Sequence, residues 1–127
     1  MSRPVHFEIH ASDPEILVKF YTDVFGWKIS HMPQFDYWLI ETGTGDTGIN
    51  GGLMKRRGPA PGPDAPVNAY VCSIGIDSVD ACLERALKAG ATIALPRMAI
   101  PGVGYQAYVK DPDGNLLGLH QADRSAK

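Results

Sequence analysis

The chain has 127 residues, 44% of them hydrophobic and 20% charged, with a net charge of −2. That length fits one domain able to bury about two-thirds of its unfolded surface without staples. There is no basic stripe for nucleic acid, the densest basic run being Lys55-Arg56-Arg57, and no apolar run of membrane-spanning length.

Residues 5–10 alternate strictly, with Val5, Phe7 and Ile9 on one face and His6, Glu8 and His10 on the other. Period two of this kind marks a strand with one apolar face. Two imidazoles around a carboxylate are groups that acid–base or metal chemistry needs, and a half-exposed polar face can also carry them. Helix signals follow. Ser12 can cap, Glu15 sits three residues on, Pro14 suits the first turn, and Leu17, Phe20, Tyr21, Val24 and Phe25 recur at helical spacing. Gly26 is the stop. Residues 27–32, 35–42 and 49–55 read as three strands, the last weakened by Gly51-Gly52, a pair that marks a bulge or a close approach.

Residues 56–66 hold four prolines and two glycines, which no strand or helix interior tolerates, and read as a linker or surface loop. The pattern then restarts. Residues 67–76 read as a strand, and Asp77 caps a helix carrying Val79, Cys82, Leu83, Ala86 and Leu87 on one stripe. Gly90 closes that helix. Residues 91–98, 104–110 and 115–121 read as strands, the last two joined by a tight Asp-Pro-Asp-Gly turn at 111–114. Residues 123–127 read as a frayed tail. Cys72 in an apolar strand and Cys82 on an apolar helix face are expected to pack in the core as free thiols. Free thiols, and an N-terminus broken by Arg3, Pro4 and His6, fit a cytoplasmic protein without a signal peptide.

The two halves match in order and length, so the chain is an internal duplication. The expectation is an α+β fold, a single domain over 1–127 built of two tandem βαβββ modules, about 4–55 and 67–121, joined by the linker 56–66. Two such modules can curve a mixed sheet around a cleft, lined by the strand faces that bear no helix. For the first strand that is the face of His6, Glu8 and His10.

This plan, with the stretches KFYTDVFGW (19–27) and SVDACLERALKAGA (78–91) and the turn DPDGN (111–115), resembles the vicinal oxygen chelate superfamily. That group includes glyoxalase I, extradiol dioxygenases, bleomycin resistance proteins and fosfomycin resistance enzymes. The resemblance runs from about Val5 to Gln121. It implies a divalent metal held by residues of both halves, and a homodimer. Carried over by position, the first-strand ligand falls on His6, seven residues before Asp13. The ligand positions of the second half fall on Val71 and Gly118, and residues 49–53 offer no Glu, His or Asp. One imidazole does not retain a divalent ion against water, since catalytic sites keep about three protein ligands.

The candidate catalytic residues are therefore His6 and Glu8, with Glu8 a general base if its surroundings raise its pKa. His6 is the one metal-ligand position kept. Candidate ligand-binding residues are His10, Asn50 and His120, with Trp38, Tyr105 and Tyr108 as flat walls. Bare positions such as Gly51, Gly52, Gly75 and Gly118 are expected to leave volume for a small molecule. The leading expectation is a protein that binds or sequesters a small, partly apolar molecule without the usual metal or any other cofactor, with no nucleic-acid or membrane partner. The alternatives are a metal-dependent lyase or dioxygenase with a non-standard His/Glu ligand set, and a metal-free isomerase or hydrolase using Glu8 and His6.

Overall fold

The computed structural model describes residues 3–127 and divides into two compact units, Met1–Ala60 and Pro61–Lys127. Each unit is one βαβββ module, so the fold is two four-stranded mixed sheets, each with one helix.

In the first unit, β1 (His6–Ala11) leads into α1 (Pro14–Phe25), followed by β2 (Lys28–Met32), β3 (Tyr37–Glu41) and β4 (Asn50–Lys55). The sheet order is β1-β4-β3-β2, with β1 and β4 parallel and the other pairs antiparallel. The cap of α1 is Asp13 rather than Ser12; its carboxylate accepts from the Glu15 amide at 3.2 Å. Gly26 ends the helix in the left-handed conformation at φ 71°. Leu17, Phe20, Tyr21 and Val24 are buried against the sheet, whose inner face supplies Ile40 and Leu53. Trp27 seals the end of this core, stacked on Tyr21 at 5.1 Å and packed on Phe7 at 5.6 Å. Strand alternation therefore puts Phe7, Ile9, Gly51, Leu53, Ile40 and Trp38 on the helix side, and His6, Glu8, His10, Gly52, Tyr37 and Leu39 on the other. Val5 lies before β1 and is exposed.

The second unit runs β5 (Ser73–Gly75), α2 (Val79–Lys88), β6 (Thr92–Ile100), β7 (Gly104–Lys110) and β8 (Leu116–Ala122), with sheet order β5-β8-β7-β6. Val79, Cys82 and Ala86 of α2 are buried, as are Ala107, Val109, Leu117 and Leu119 of the sheet. Leu87 is exposed, because the buried line of the helix runs through Val79, Cys82 and Ala86 and leaves Leu87 on its flank. Ser78, not Asp77, is the cap; its hydroxyl accepts from the Ala81 amide at 3.1 Å.

Three stretches differ from the sequence expectation. Residues 67–72 form no strand, since the partner β8 begins only at Leu116 and its bonds reach no further than Gly118 N to Cys72 O. Cys72 is accordingly exposed, while Cys82 is buried and its thiol pKa is pushed up by that burial. β6 continues to Ile100, with register shifts on either side of Leu95. Pro96 lies among those shifts on an edge strand, where a missing amide is tolerated. The tail is held rather than frayed: Gly102 N bonds Ala126 O and Asp123 N bonds Val103 O, both at 2.9 Å, and Ala126 is buried.

Candidate functional sites on the polar sheet faces

On β1 the alternation places His6, Glu8 and His10 in one row, and β3 adds a residue absent from the sequence candidates. The Tyr37 hydroxyl donates to Glu8 Oε2 at 3.3 Å. That hydroxyl has one proton, so its oxygen accepts from His6 Nε2 at 2.9 Å, which assigns His6 the Nε2–H form. His10 Nε2 donates to Glu8 Oε1 at 2.8 Å. The result is a chain, His6–Tyr37–Glu8–His10. The hydrogen bond from His10 leads in holding the Glu8 carboxyl below its ordinary range; partial burial opposes it, and Tyr37 and the two imidazoles assist. Burial, then the Glu8 charge and hydrogen bond, push Tyr37 up. At neutral pH Glu8 is a carboxylate and Tyr37 a neutral donor. A lowered pKa makes Glu8 a weaker base, so the condition on which it would serve as a general base, a raised pKa, is not met within this unit.

Gly52 explains how Tyr37 reaches Glu8. A Cβ at position 52 would collide with the Tyr37 ring and hydroxyl, so the ring lies directly on the bare glycine. At Gly51 a Cβ would meet the Phe7 carbonyl and ring at 2.5–2.7 Å. These two glycines are filled by neighbours, not left as ligand volume. Asn50 is committed to its own loop, its Oδ1 accepting from the Thr42 amide at 3.0 Å.

The second unit repeats the device with different chemistry. Counting back five residues from each helix cap makes Glu8 and Ser73 equivalent, and strand pairing sets Glu8 opposite Gly52 and Ser73 opposite Gly118. Tyr37 pairs two residues beyond Gly52 and Gln106 two beyond Gly118, so these are equivalent as well. Gln106 is buried, with its Nε2 donating to Ser73 Oγ at 2.9 Å and its Oε1 bonded to His120 Nδ1 at 2.8 Å. A Cβ at Gly118 would strike Ser73 Oγ and come within 2.7 Å of Gln106 Nε2. Tyr108 also borders Gly118, at 3.2 Å, on the same face as His120.

Two candidates fall elsewhere. Trp38 lies on the helix side of its sheet, buried and stacked on His31 at 4.2 Å. Tyr105 shares the helix side of the second sheet; Arg97 sits 4.1 Å over its ring and pairs with Asp80 of α2. Both corrections have one cause: strand parity. Trp38 and Tyr105 are each one residue from the side chain that does face the polar side, Tyr37 and Gln106. No periodicity within strands of five and seven residues rich in aromatics reveals which face is which.

His6, Glu8, His10 and Tyr37 of the first unit are engaged with one another, and the second-half ligand positions implied by the resemblance are a glycine beneath Gln106 and the exposed Val71. Among the described residues no three His, Cys, Asp or Glu side chains group as a metal site. This donor set does not fit a divalent ion.

Comparison with known proteins agrees with the duplicated fold. Two curated mycobacterial proteins, from Mycobacterium bovis and Mycobacterium tuberculosis, both named "Putative glyoxylase CFP32", are 29% identical over 130 residues, covering 95% of this chain. The chain spans about half of their length, 46%. Among solved structures, FosX, a fosfomycin resistance protein from Listeria monocytogenes crystallised with Mn(II) and 1S,2S-dihydroxypropylphosphonic acid, superposes with a TM-score of 0.74 at 19% identity, covering 97% of this chain and 92% of that one. A family enzyme from Burkholderia phytofirmans gives 0.69 at 17% identity, covering 93% and 97%. The family model for the Glyoxalase/Bleomycin resistance protein/Dioxygenase superfamily matches residues 3–119, and the chain belongs to that superfamily.

Proposed function

We propose that this superfamily member takes a small, partly apolar molecule against its polar sheet faces without a divalent metal. One observation carries the reading. The equivalent fourth-strand glycines, Gly52 and Gly118, lie beneath Tyr37 and Gln106, so side chains fill the space where a metal-binding carboxylate would stand. What these faces offer instead is neutral and ionised hydrogen-bonding groups beside apolar ones. Glu8 and Leu39 lie on either side of Gly52, His10 pairs with Met54, and Gln106 pairs with both His120 and Met98. Such a surface suits a molecule with one polar edge and one greasy one.

The competing reading is metal-dependent chemistry, which the Mn(II) complex of FosX favours. It requires donors that the first unit commits to internal hydrogen bonds. A metal-free isomerase or hydrolase using Glu8 with His6 is disfavoured by the depressed Glu8 pKa. Thermal-shift screening of small amphipathic molecules, with and without chelator, tests the proposal. Binding at 100 times Kd raises stability by about 2.7 kcal/mol. The expected result is a stabilising ligand whose shift the chelator leaves unchanged; a shift abolished by the chelator contradicts the reading.

The reading includes a homodimer. All nine residues of the edge strand β6 are exposed, among them Ile93, Leu95, Met98 and Ile100, and an apolar unpaired edge of this kind is a pairing surface.

A further inference from the structure

The second unit contains a polar group whose chemistry is set by a neighbour it does not share with the first. His120 Nδ1 lies 2.8 Å from Gln106 Oε1, an oxygen that only accepts. In this orientation of the amide its other end, Nε2, donates to Ser73 Oγ at 2.9 Å. Gln106 is 5% exposed, so its amide is shielded from water. An oxygen facing Nδ1 requires a proton there, and a neutral imidazole with Nδ1–H carries a lone pair on Nε2. His120 is only half-buried, so that lone pair is within reach of solvent.

Room exists beside it. Gly75 pairs directly with His120, and a Cβ built on Gly75 meets no heavy atom of the described residues within 4 Å. This distinguishes Gly75 from Gly118, whose space is taken. Tyr108 borders the same face.

We propose that Gln106, anchored on Ser73, is a positioning residue that holds His120 as the Nδ1–H tautomer, so that Nε2 and the open space at Gly75 form an acceptor site for a small molecule bearing an O–H or N–H donor. This deepens the small-molecule reading above and rests on it for its biological meaning. The tautomer, however, is a property of the ligand-free protein. A pure acceptor rejects ligands whose polar edge is itself only an acceptor, such as an ether or an ester, because the two lone pairs would face each other.

Long-range nitrogen–proton NMR of the labelled, ligand-free protein, well above the ordinary imidazole pKa of about 6.5, reads the tautomer directly. The expected spectrum has a protonated Nδ1 and an unprotonated Nε2 on His120. A protonated Nε2 in the wild-type protein overturns the proposal, since the Gln106 amide would then be reversed. Gln106→Glu keeps an oxygen acceptor at Nδ1, so the Nδ1–H signal of His120 should persist; its loss overturns the contact. Gln106→Leu should lose the Nδ1–H form, and the wild-type spectrum decides the matter if that variant does not fold. For the ligand class the probes are phenol and its ether anisole at equal concentration. Phenol should shift His120 Nε2 and anisole should not, and Gly75→Val should abolish the phenol shift while leaving the tautomer intact. Equal shifts from both probes, or none from phenol, contradict the acceptor site. Failure of the wider ligand screen with the tautomer intact would count against the binding function alone.

Discussion

Gly52 and Gly118 are bare because a neighbouring side chain crosses each of them. The crossing groups, Tyr37 and Gln106, are what connect one strand's polar residue to the next. Gly52→Ala should therefore force the Tyr37 ring off the sheet and destabilise the protein by about 1–3 kcal/mol, as over-packing does. In a Tyr37→Ala background the same substitution should cost much less, and chemical denaturation of the four proteins gives the coupling. Additive costs would mean that the ring is not what excludes a side chain there. Glu8 makes a pH prediction. Its folded pKa lies below the ordinary 4.5, so the stabilisation it contributes is complete above 4.5 and is lost as pH falls through the folded value. At a side-chain exposure of 42%, with His10 at 46%, the effect is small, and Glu8→Gln should flatten the acid limb of the stability curve only slightly. A steeper acid limb in Glu8→Gln would reverse the assigned direction.

Among the elements, those announced by caps and stops were legible. Gly26 ends α1 in the left-handed conformation, and the Leu17–Phe20–Tyr21–Val24 stripe is the buried one. The caps themselves slipped by one residue, from Ser12 to Asp13 and from Asp77 to Ser78, because adjacent Ser and Asp are both competent and only the backbone turn chooses. Ser78→Ala should cost about 1 kcal/mol and Asp77→Ala close to nothing. Equal costs would restore Asp77 as the cap. Strand length and parity were not legible, since they depend on where the partner starts. Residues 67–72 have strand composition but no ladder beyond Cys72, and Trp38 and Tyr105 have the size of pocket walls but the wrong parity. The polar row of β1 was readable, because six alternating residues fix a face without help from a partner. At β6, Ile93→Lys places a charge on the exposed edge away from the His120 face. Under the proposed homodimer it should convert a two-chain particle into a one-chain particle in sedimentation, and an unchanged mass would place the interface elsewhere.

Taken whole, the molecule is a duplicated module in which the two copies keep one architecture and differ in chemistry. The equivalent positions Glu8 and Ser73, and Tyr37 and Gln106, build a charged hydrogen-bonded chain in one unit and a neutral one in the other. The duplication itself was visible as a repeated order of elements, and membership of the superfamily follows over residues 3–119. The equivalences were not visible, because they rest on strand register rather than on spacing along the chain. The central claim is that these polar faces work without a divalent ion. Elemental analysis of protein purified without a His-tag and without chelator tests it most directly. The account predicts far less than one transition-metal ion per folded chain; one ion per chain, lost together with ligand binding in His6→Ala, would contradict it.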